Sequence, residues 1–266
     1  MIPKIIHYCW FGDKEMPEVL LECVDTWKKH LPDYTIKRWD NSMCSFDENE
    51  YIRRAYKEKR WAFVSDYYRL KALYEEGGIY LDTDVRVHRS FDPLLKYKCF
   101  FNFIYDCVIG GGTIGAEPHD PFIGRLLNLY ENAVFGPCSN GLKTQLDGDK
   151  LTLSDFDTNN FIFTSYVLNN YPSFRLNNKF QDMGDFVIFP KEKFEVGSFL
   201  YNHYAIHLGI GSWKTNRKTV TQKKREKKHS FIFEYIRILR KKVRYYKQNK
   251  NIYFYKIQLE QKKKSR

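Results

Sequence analysis

Two aspartates, Asp82 and Asp84, stand one residue apart at the end of an apolar run, Ile79 to Leu81. In extended backbone, residues i and i+2 point to one side of the chain. Two carboxylates held together in this way repel each other unless a cation lies between them. Hard divalent ions bind through one or two carboxylates together with substrate phosphates. The pair therefore predicts a metal–phosphate ligand, against the plainer reading of two structural turn aspartates. The residues upstream favour the ligand. Ala62, Val64, Tyr67, Tyr68, Leu70, Leu73 and Tyr74 recur with helical spacing, and Gly77-Gly78 is a stop signal just past them. On that helix Ser65 and Arg69 share a face with Asp66 beside them. Asp66 and Arg69 read either as a surface ion pair or as a polar cluster aimed at the same ligand.

The elements needed to position these groups are legible on either side. Lys4 to Trp10 reads as a first buried strand. Val19 to His30 reads as a helix with Leu20, Cys23, Val24 and Trp27 on one stripe. Tyr34 to Trp39 alternates as a second strand, Glu50 to Lys59 is predicted to be an exposed helix, and residues 79–87 a strand. Strand alternating with helix implies a parallel α/β sheet, in which ligands bind beyond the carboxyl ends of the strands. The aspartate pair sits at such an end. Farther on, Cys99–Ile104 and Val108-Ile109 read as strands, with Gly110-Gly111-Gly112 as a break before Thr113-Ile114-Gly115. That glycine run lacks the Lys-Ser/Thr of a phosphate-binding loop. Helices are expected from Pro121 to about Tyr130 and from Phe161 to Tyr171. Phe186–Phe189 and Ala205–Leu208 read as strands, and the polar stretch from Phe135 to Asp157 as a mobile acceptor loop.

Charge divides the chain. Residues 214–266 carry 20 Lys+Arg against 3 Asp+Glu, and residues 1–213 carry 24 against 29, within an overall charge of +12. A body over 1–213 and a basic tail over 214–266 follow, the tail suiting an anionic partner. Ile232, Ile236, Leu239, Val243 and Tyr246 form one apolar stripe at helical spacing, with Arg237, Arg240, Lys241, Arg244 and Lys247 on other faces. This is the pattern of an interfacial helix on an anionic membrane. Two alternatives are a stripe packed on the body and, from the heptad-like spacing, a homo-oligomer seam. The six cysteines have no paired spacing, which points to reduced thiols in a cytoplasm. The N-terminus reads as free of a signal peptide, and no apolar run reaches membrane-spanning length.

The chain resembles the DXD-containing sugar-binding glycosyltransferases, a family of yeast mannosyltransferases and bacterial capsule enzymes, and is similar in motif to glucosylating toxins. The resemblance rests on Ile2-Pro3-Lys4-Ile5-Ile6-His7 with Trp10, Tyr34 to Asp40, Ser65-Asp66-Tyr67-Tyr68-Arg69, Gly77 to Asp84, and His207 with Ser212-Trp213. It implies an α/β GT-A fold (Rossmann-like), a nucleotide-sugar donor with a UDP-sugar favoured, Mn2+ or Mg2+, and retention at the anomeric carbon. By position it implies that Trp10 stacks on the base near the His7 backbone, and that Asp66 and Arg69, with Ser65 on the same face, touch sugar and diphosphate. Tyr80 would line the site, Asp82 would contact hydroxyls, and Asp84 would hold the metal with Asp82 and His207. Ser212 and Trp213 would close over the phosphates. Asp82, Asp84 and Arg69 are thus the expected catalytic set. The toxins have an acidic or amide side chain where this chain offers His207. The acceptor expected is a cell-surface glycan or lipid-linked oligosaccharide, reached by a cytoplasmic enzyme peripheral to the plasma membrane.

Two other classes compete. Ile79 to Val85 also resembles the first motif of the haloacid-dehalogenase phosphatases, with Asp82 as nucleophile. That motif normally opens the first strand, and no acidic pair follows here. A nucleic-acid binder working through the basic tail is the third reading, and no recognised binding signature accompanies it.

Overall fold

The computed structural model describes residues 1–211 and 231–264. The chain opens with β1 (Ile5–Cys9), α1 (Glu18–His30), β2 (Thr35–Trp39), α2 (Glu50–Lys57), α3 (Trp61–Glu76) and β3 (Gly78–Leu81). Then come β4 (Val85–Val87), β5 (Cys99–Tyr105), β6 (Val108–Ala116) and α4 (Pro121–Glu131). A small sheet, β7 (Val134–Phe135), β8 (Thr144–Asp147) and β9 (Lys150–Leu153), precedes α5 (Asn159–Asn170). Short strands β10 (Gln181–Asp182), β11 (Val187–Phe189) and β12 (Ala205–His207) follow, and helices α6 (Phe231–Asn249) and α7 (Tyr253–Lys264) complete the described chain.

The main sheet runs β10-β11-β5-β6-β3-β1-β2. β1 is parallel to both β2 and β3, while β6 lies antiparallel between β3 and β5. The layout is α/β as expected, but the sheet is mixed and not wholly parallel, since β6 and β10 run antiparallel to their neighbours. Strand alternation feeds two cores. Ile79, Leu81 and Phe100 enter one with Trp27 of α1, while Tyr80, Phe101 and Phe103 enter the other beneath α2–α5.

Several expectations need correction. Residues 79–87 are not one strand. β3 stops at Leu81, the Val85 amide donates to the Asp82 carbonyl at 3.0 Å, and β4 leaves to pair with β12 in a separate sheet. Asp82 and Asp84 converge through that turn and not through a shared pleat. Helix α2 is not exposed: Tyr51, Ile52 and Ala55 are fully buried on its inner face. The glycine run does not break a strand, because β6 passes straight through it. A Cβ at Gly115 would stand 2.1 Å from the Phe100 ring, so bare backbone is what lets β5 and β6 approach there. The polar stretch after Phe135 is the β7–β9 sheet, anchored by the buried Leu151 and Leu153.

Candidate active site

Local structure brings the two aspartates to the carboxyl edge of the parallel strands. Helix α3 ends where Gly77 and Gly78 take positive φ values of 64° and 104°, which returns the chain into β3 beside β1. β3 then delivers Asp82, whose amide donates to the Gly112 carbonyl at 2.8 Å. Across the second sheet, β12 pairs His207 with Val85, and the Leu208 amide donates to the Asp84 carbonyl at 2.8 Å. One oxygen or nitrogen from each of Asp82, Asp84 and His207 lies within 4.8 Å of the others.

His207 Nε2 is 2.9 Å from Asp84 Oδ1 and 3.9 Å from Asp82 Oδ2. Its other nitrogen, Nδ1, is 3.0 Å from Glu195 Oε2. The Ile210 amide donates to the second Asp84 oxygen at 2.7 Å. Burial pushes the Asp84 carboxyl up, but His207 beside it prevails and holds it at about 2. Burial likewise raises Glu195, and His207 with Lys241 brings it down to about 2. Burial alone would lower the His207 pKa, and the flanking carboxylates carry it well above the ordinary histidine value. In this form a proton binds the three residues together. A divalent ion can take the place of that proton. Ligand bonds of about 2.0–2.1 Å put neighbouring ligands of an octahedral ion about 3 Å apart, close to the Asp84–His207 separation. A carboxylate behind a ligand histidine fixes its tautomer and aims its free nitrogen, as Glu195 does here. Gly112 keeps the space open, since a Cβ there would stand 2.9 Å from Asp82 Oδ2 and 3.4 Å from the His207 ring. The residues therefore fit a hard divalent ion.

Arg69 holds the other side of the cluster. Its guanidinium bonds Asp66 Oδ1 at 2.8 Å, Asp82 Oδ1 at 3.2 Å and the Gly111 carbonyl at 2.5 Å, and lies 4.5 Å from the centre of the Tyr80 ring. The Tyr80 hydroxyl donates to Asp82 Oδ1 at 3.1 Å. Burial would strip the Arg69 charge, but Tyr80, Asp82 and Asp66 raise its pKa and keep it. Burial pushes the Asp66 carboxyl up to about 7, against the pull of Arg69 and Asn159. Asp66 and Arg69 are thus a buried pair in the cluster and not a surface i,i+3 pair.

The other expected residues are placed as follows. Trp10 is half-buried at the end of β1, its indole donating to the Lys14 carbonyl at 2.7 Å. His7 is fully buried between the Gly77 carbonyl at 2.8 Å and the Trp39 indole at 3.0 Å, so its ring is a strut that couples β1 to its neighbours. The Ser65 hydroxyl donates back to the Trp61 carbonyl at 3.0 Å. Ser212 and Trp213 lie outside the described residues.

The structure also adds residues that the sequence did not single out. Asn159, at the start of α5, donates to Asp66 at 2.8 Å. Glu195 is buried behind His207. Lys241 of α6 is buried too, donating to the Glu195 carbonyl at 2.6 Å, to Glu195 Oε1 at 3.1 Å and to the His207 carbonyl. Tyr245, one turn on, donates to Glu195 as well. The glycine run was a signal for Gly112, while Lys241 reads in the sequence as one more solvated cation.

Residues 17–101, which span α1 to β5 and include both aspartates, match the family model described as the glycosyltransferase sugar-binding region containing a DXD motif. Over these residues the chain is similar to that family's sugar-binding region. It is similar to inositol phosphoceramide mannosyltransferase 3 of Schizosaccharomyces pombe, 33% identical over 142 residues that cover 50% of this chain and 38% of the relative. It is also similar to an uncharacterized glycosyltransferase of Acanthamoeba polyphaga mimivirus, 28% identical over 166 residues, covering 57% of this chain and 65% of that one. A solved structure titled PaToxG Glycosyltransferase aligns with a TM-score of 0.41 and 23% identity, over 48% of this chain and 59% of its own. The chain spans less than two thirds of each of these proteins. Asp82-Thr83-Asp84 is the Asp-x-Asp stretch inside the matched residues, and His207 with Glu195 is what this chain sets opposite it.

Proposed function

We propose that the protein is a metal-dependent, retaining glycosyltransferase that takes a sugar from a nucleotide sugar, a UDP-sugar by preference. The observation that carries this reading is the convergence of Asp82, Asp84 and His207 at the carboxyl edge of the parallel strands, with Arg69 on the far oxygen of Asp82. Loss of a nucleoside diphosphate builds negative charge on the leaving phosphates, and fixed positive charge lowers that barrier. A Mn2+ or Mg2+ ion held by Asp84, Asp82 and His207 would supply Lewis-acid neutralisation of the diphosphate. Arg69 fixes Asp82 and brings a second, permanent positive charge. Asp66, joined to Arg69 and Asn159, sets the guanidinium plane. Tyr80 orients Asp82, and Trp10 offers an aromatic face at the next strand end for a base to stack on.

The acceptor is proposed to be a cell-surface glycan or a lipid-linked oligosaccharide, such as a capsule precursor, met at the cytoplasmic leaflet of the plasma membrane. The names of several relatives concern mannosyl transfer to a phosphoinositol ceramide, a lipid-borne acceptor, which supports an acceptor of this kind. The phosphatase alternative would have Asp82 attack phosphorus, and the similar proteins named above are transferases, which speaks against it. The deciding experiment incubates the protein with Mn2+ and a panel of UDP-sugars and GDP-mannose, and scores slow donor hydrolysis with and without EDTA. Hydrolysis of one donor, abolished by EDTA, is expected. Hydrolysis unaffected by EDTA, or an aspartyl-phosphate trapped on Asp82, would overturn the reading.

A further inference from the structure

Helix α6 docks on the body by a face other than its apolar stripe. Ile238, Lys241, Tyr245 and Asn249 are buried, and these four residues share one side of the helix. The more apolar stripe points away. Leu239 is 46% exposed, Val243 48% and Tyr246 67%, with Ile236 beside them. At the start of the helix the Tyr235 ring meets Phe199 at 4.6 Å, and Leu200 of the same loop is 82% exposed. The exposed patch is therefore built from two segments of the chain. Cations border it: Arg240 and Lys247 run along one flank of the stripe, and Lys250 continues past its end. On the Arg240 flank a cavity of about 230 Å³ opens between α6 and β12, lined by His207, Leu208, Arg237, Arg240, Lys241 and Arg244.

We propose that this face of α6 docks on an anionic phospholipid bilayer. The stripe settles among headgroups and the first methylenes, and the arginine-lined cavity receives a headgroup phosphate. Three physical arguments select this occupant. An apolar helical stripe flanked by cations, at low overall hydrophobicity, matches the interfacial zone of a membrane. Guanidinium groups match phosphate oxygens in a planar fork, which makes arginine suited to such a cavity. A second copy of the chain fits badly, because a two-fold contact through the stripe sets the same cations against one another. The opposite face of α6 holds the Lys241 clamp on Glu195, so docking leaves the body attached through the helix that braces His207. The inference is read without donor or acceptor and stands or falls apart from the transfer reaction.

The test uses the full chain. Truncating before α6 would strip Lys241, Tyr245 and Asn249 from their partners, so point variants on the outward face replace truncation. Sedimentation is measured with phosphatidylcholine vesicles, with and without phosphatidylglycerol, at low and high salt. Co-sedimentation is expected with the anionic vesicles and should weaken as salt screens the charges. Arg240→Ser and Lys247→Ser should each weaken it about fivefold. The double variant Leu239→Glu, Val243→Glu should abolish it while the thermal midpoint stays unchanged. Equal binding to neutral vesicles, or no binding to either, would overturn the proposal. A dimer in size-exclusion chromatography that Leu239→Glu dissociates would also overturn it, by assigning the stripe to a second copy.

Discussion

The two sides of the Asp82–Asp84–His207 cluster are held by different means. Asp82, Asp84 and Arg69 come from one short stretch in which a helix, a glycine turn and a strand end place all three. Backbone hydrogen bonds and the β3–β1 pairing do most of that placing. His207 is held from the far side by Glu195, and Glu195 in turn by Lys241 and Tyr245 of α6. There buried charge adds to the β12–β4 pairing and to the bond from the His207 amide to the Glu195 carbonyl. The near side adds the buried Arg69–Asp66 pair to that backbone scaffold. The far side depends on every charge being matched, because an unmatched buried ion is costly.

The sharpest way to break this contrast is to remove the shared member. Asp84→Asn deletes a ligand charge and the counter-ion of His207 together. Donor hydrolysis should fall by at least about a thousandfold, a loss of roughly 4 kcal/mol of transition-state stabilisation. Isothermal titration with Mn2+ should show no binding. Retained Mn2+ affinity would mean that the ion sits elsewhere.

Lys241→Met tests the far side alone. It removes the ammonium that bonds Glu195 and the His207 carbonyl, and the melting free energy should drop by about 3 kcal/mol. A structural role would end there. A positioning role predicts in addition a roughly tenfold to hundredfold loss of Mn2+ affinity, the usual cost of a lost outer-shell partner. Glu195→Gln gives the pH signature. The Glu195 carboxyl is held at about 2, below its ordinary value of 4.5. Its stabilisation is therefore full above about pH 4.5 and is lost as pH falls toward 2, on the order of 3 kcal/mol in all. The variant should be less stable at neutral pH and lose less on acidification than wild type. Parallel acid-unfolding curves would remove Glu195 from the clamp.

How much of this was legible in the sequence follows the same division. The β1–α1–β2 and α3–β3 elements announce themselves by periodicity and by Gly77-Gly78, and the aspartate pair by its place at a strand end. The turn at Asp82–Val85 was hidden because a short break and a continuous strand share the same apolar-polar rhythm. The passage of β6 through three glycines was hidden because glycine has no side chain to report burial. Glu195 and Lys241 were hidden for a stronger reason. A buried ion pair between residues so far apart leaves no local pattern, and lysine in a basic helix reads as solvated. The apolar stripe of α6 was identified from its spacing, yet spacing says nothing about which face meets the body.

Gly112→Ala probes the near side at smaller cost. Its Cβ would press on the Asp82 carboxylate at 2.9 Å, the movable end of a side chain, so the fold should persist. Displacing one ligand should cost about tenfold in Mn2+ affinity. Unchanged affinity would show that Asp82 has slack and that Asp84 and His207 carry the ion.

The smallest effect is expected at the apolar stripe itself. Leu239 belongs to the stripe that helical spacing marks as apolar, while Ile238 beside it is 1% exposed and meets the body. Truncating a buried isoleucine removes its transfer energy and leaves a cavity, so Ile238→Ala should cost about 2–4 kcal/mol. Leu239→Ser removes a side chain that already faces solvent, and should stay within about 0.5 kcal/mol of wild type. Chemical denaturation of the two variants side by side, at equal slope, reads the difference directly. If Leu239→Ser proves the more damaging, α6 packs through its stripe, the lysine clamp on Glu195 is lost, and the contrast between the two sides of the site goes with it.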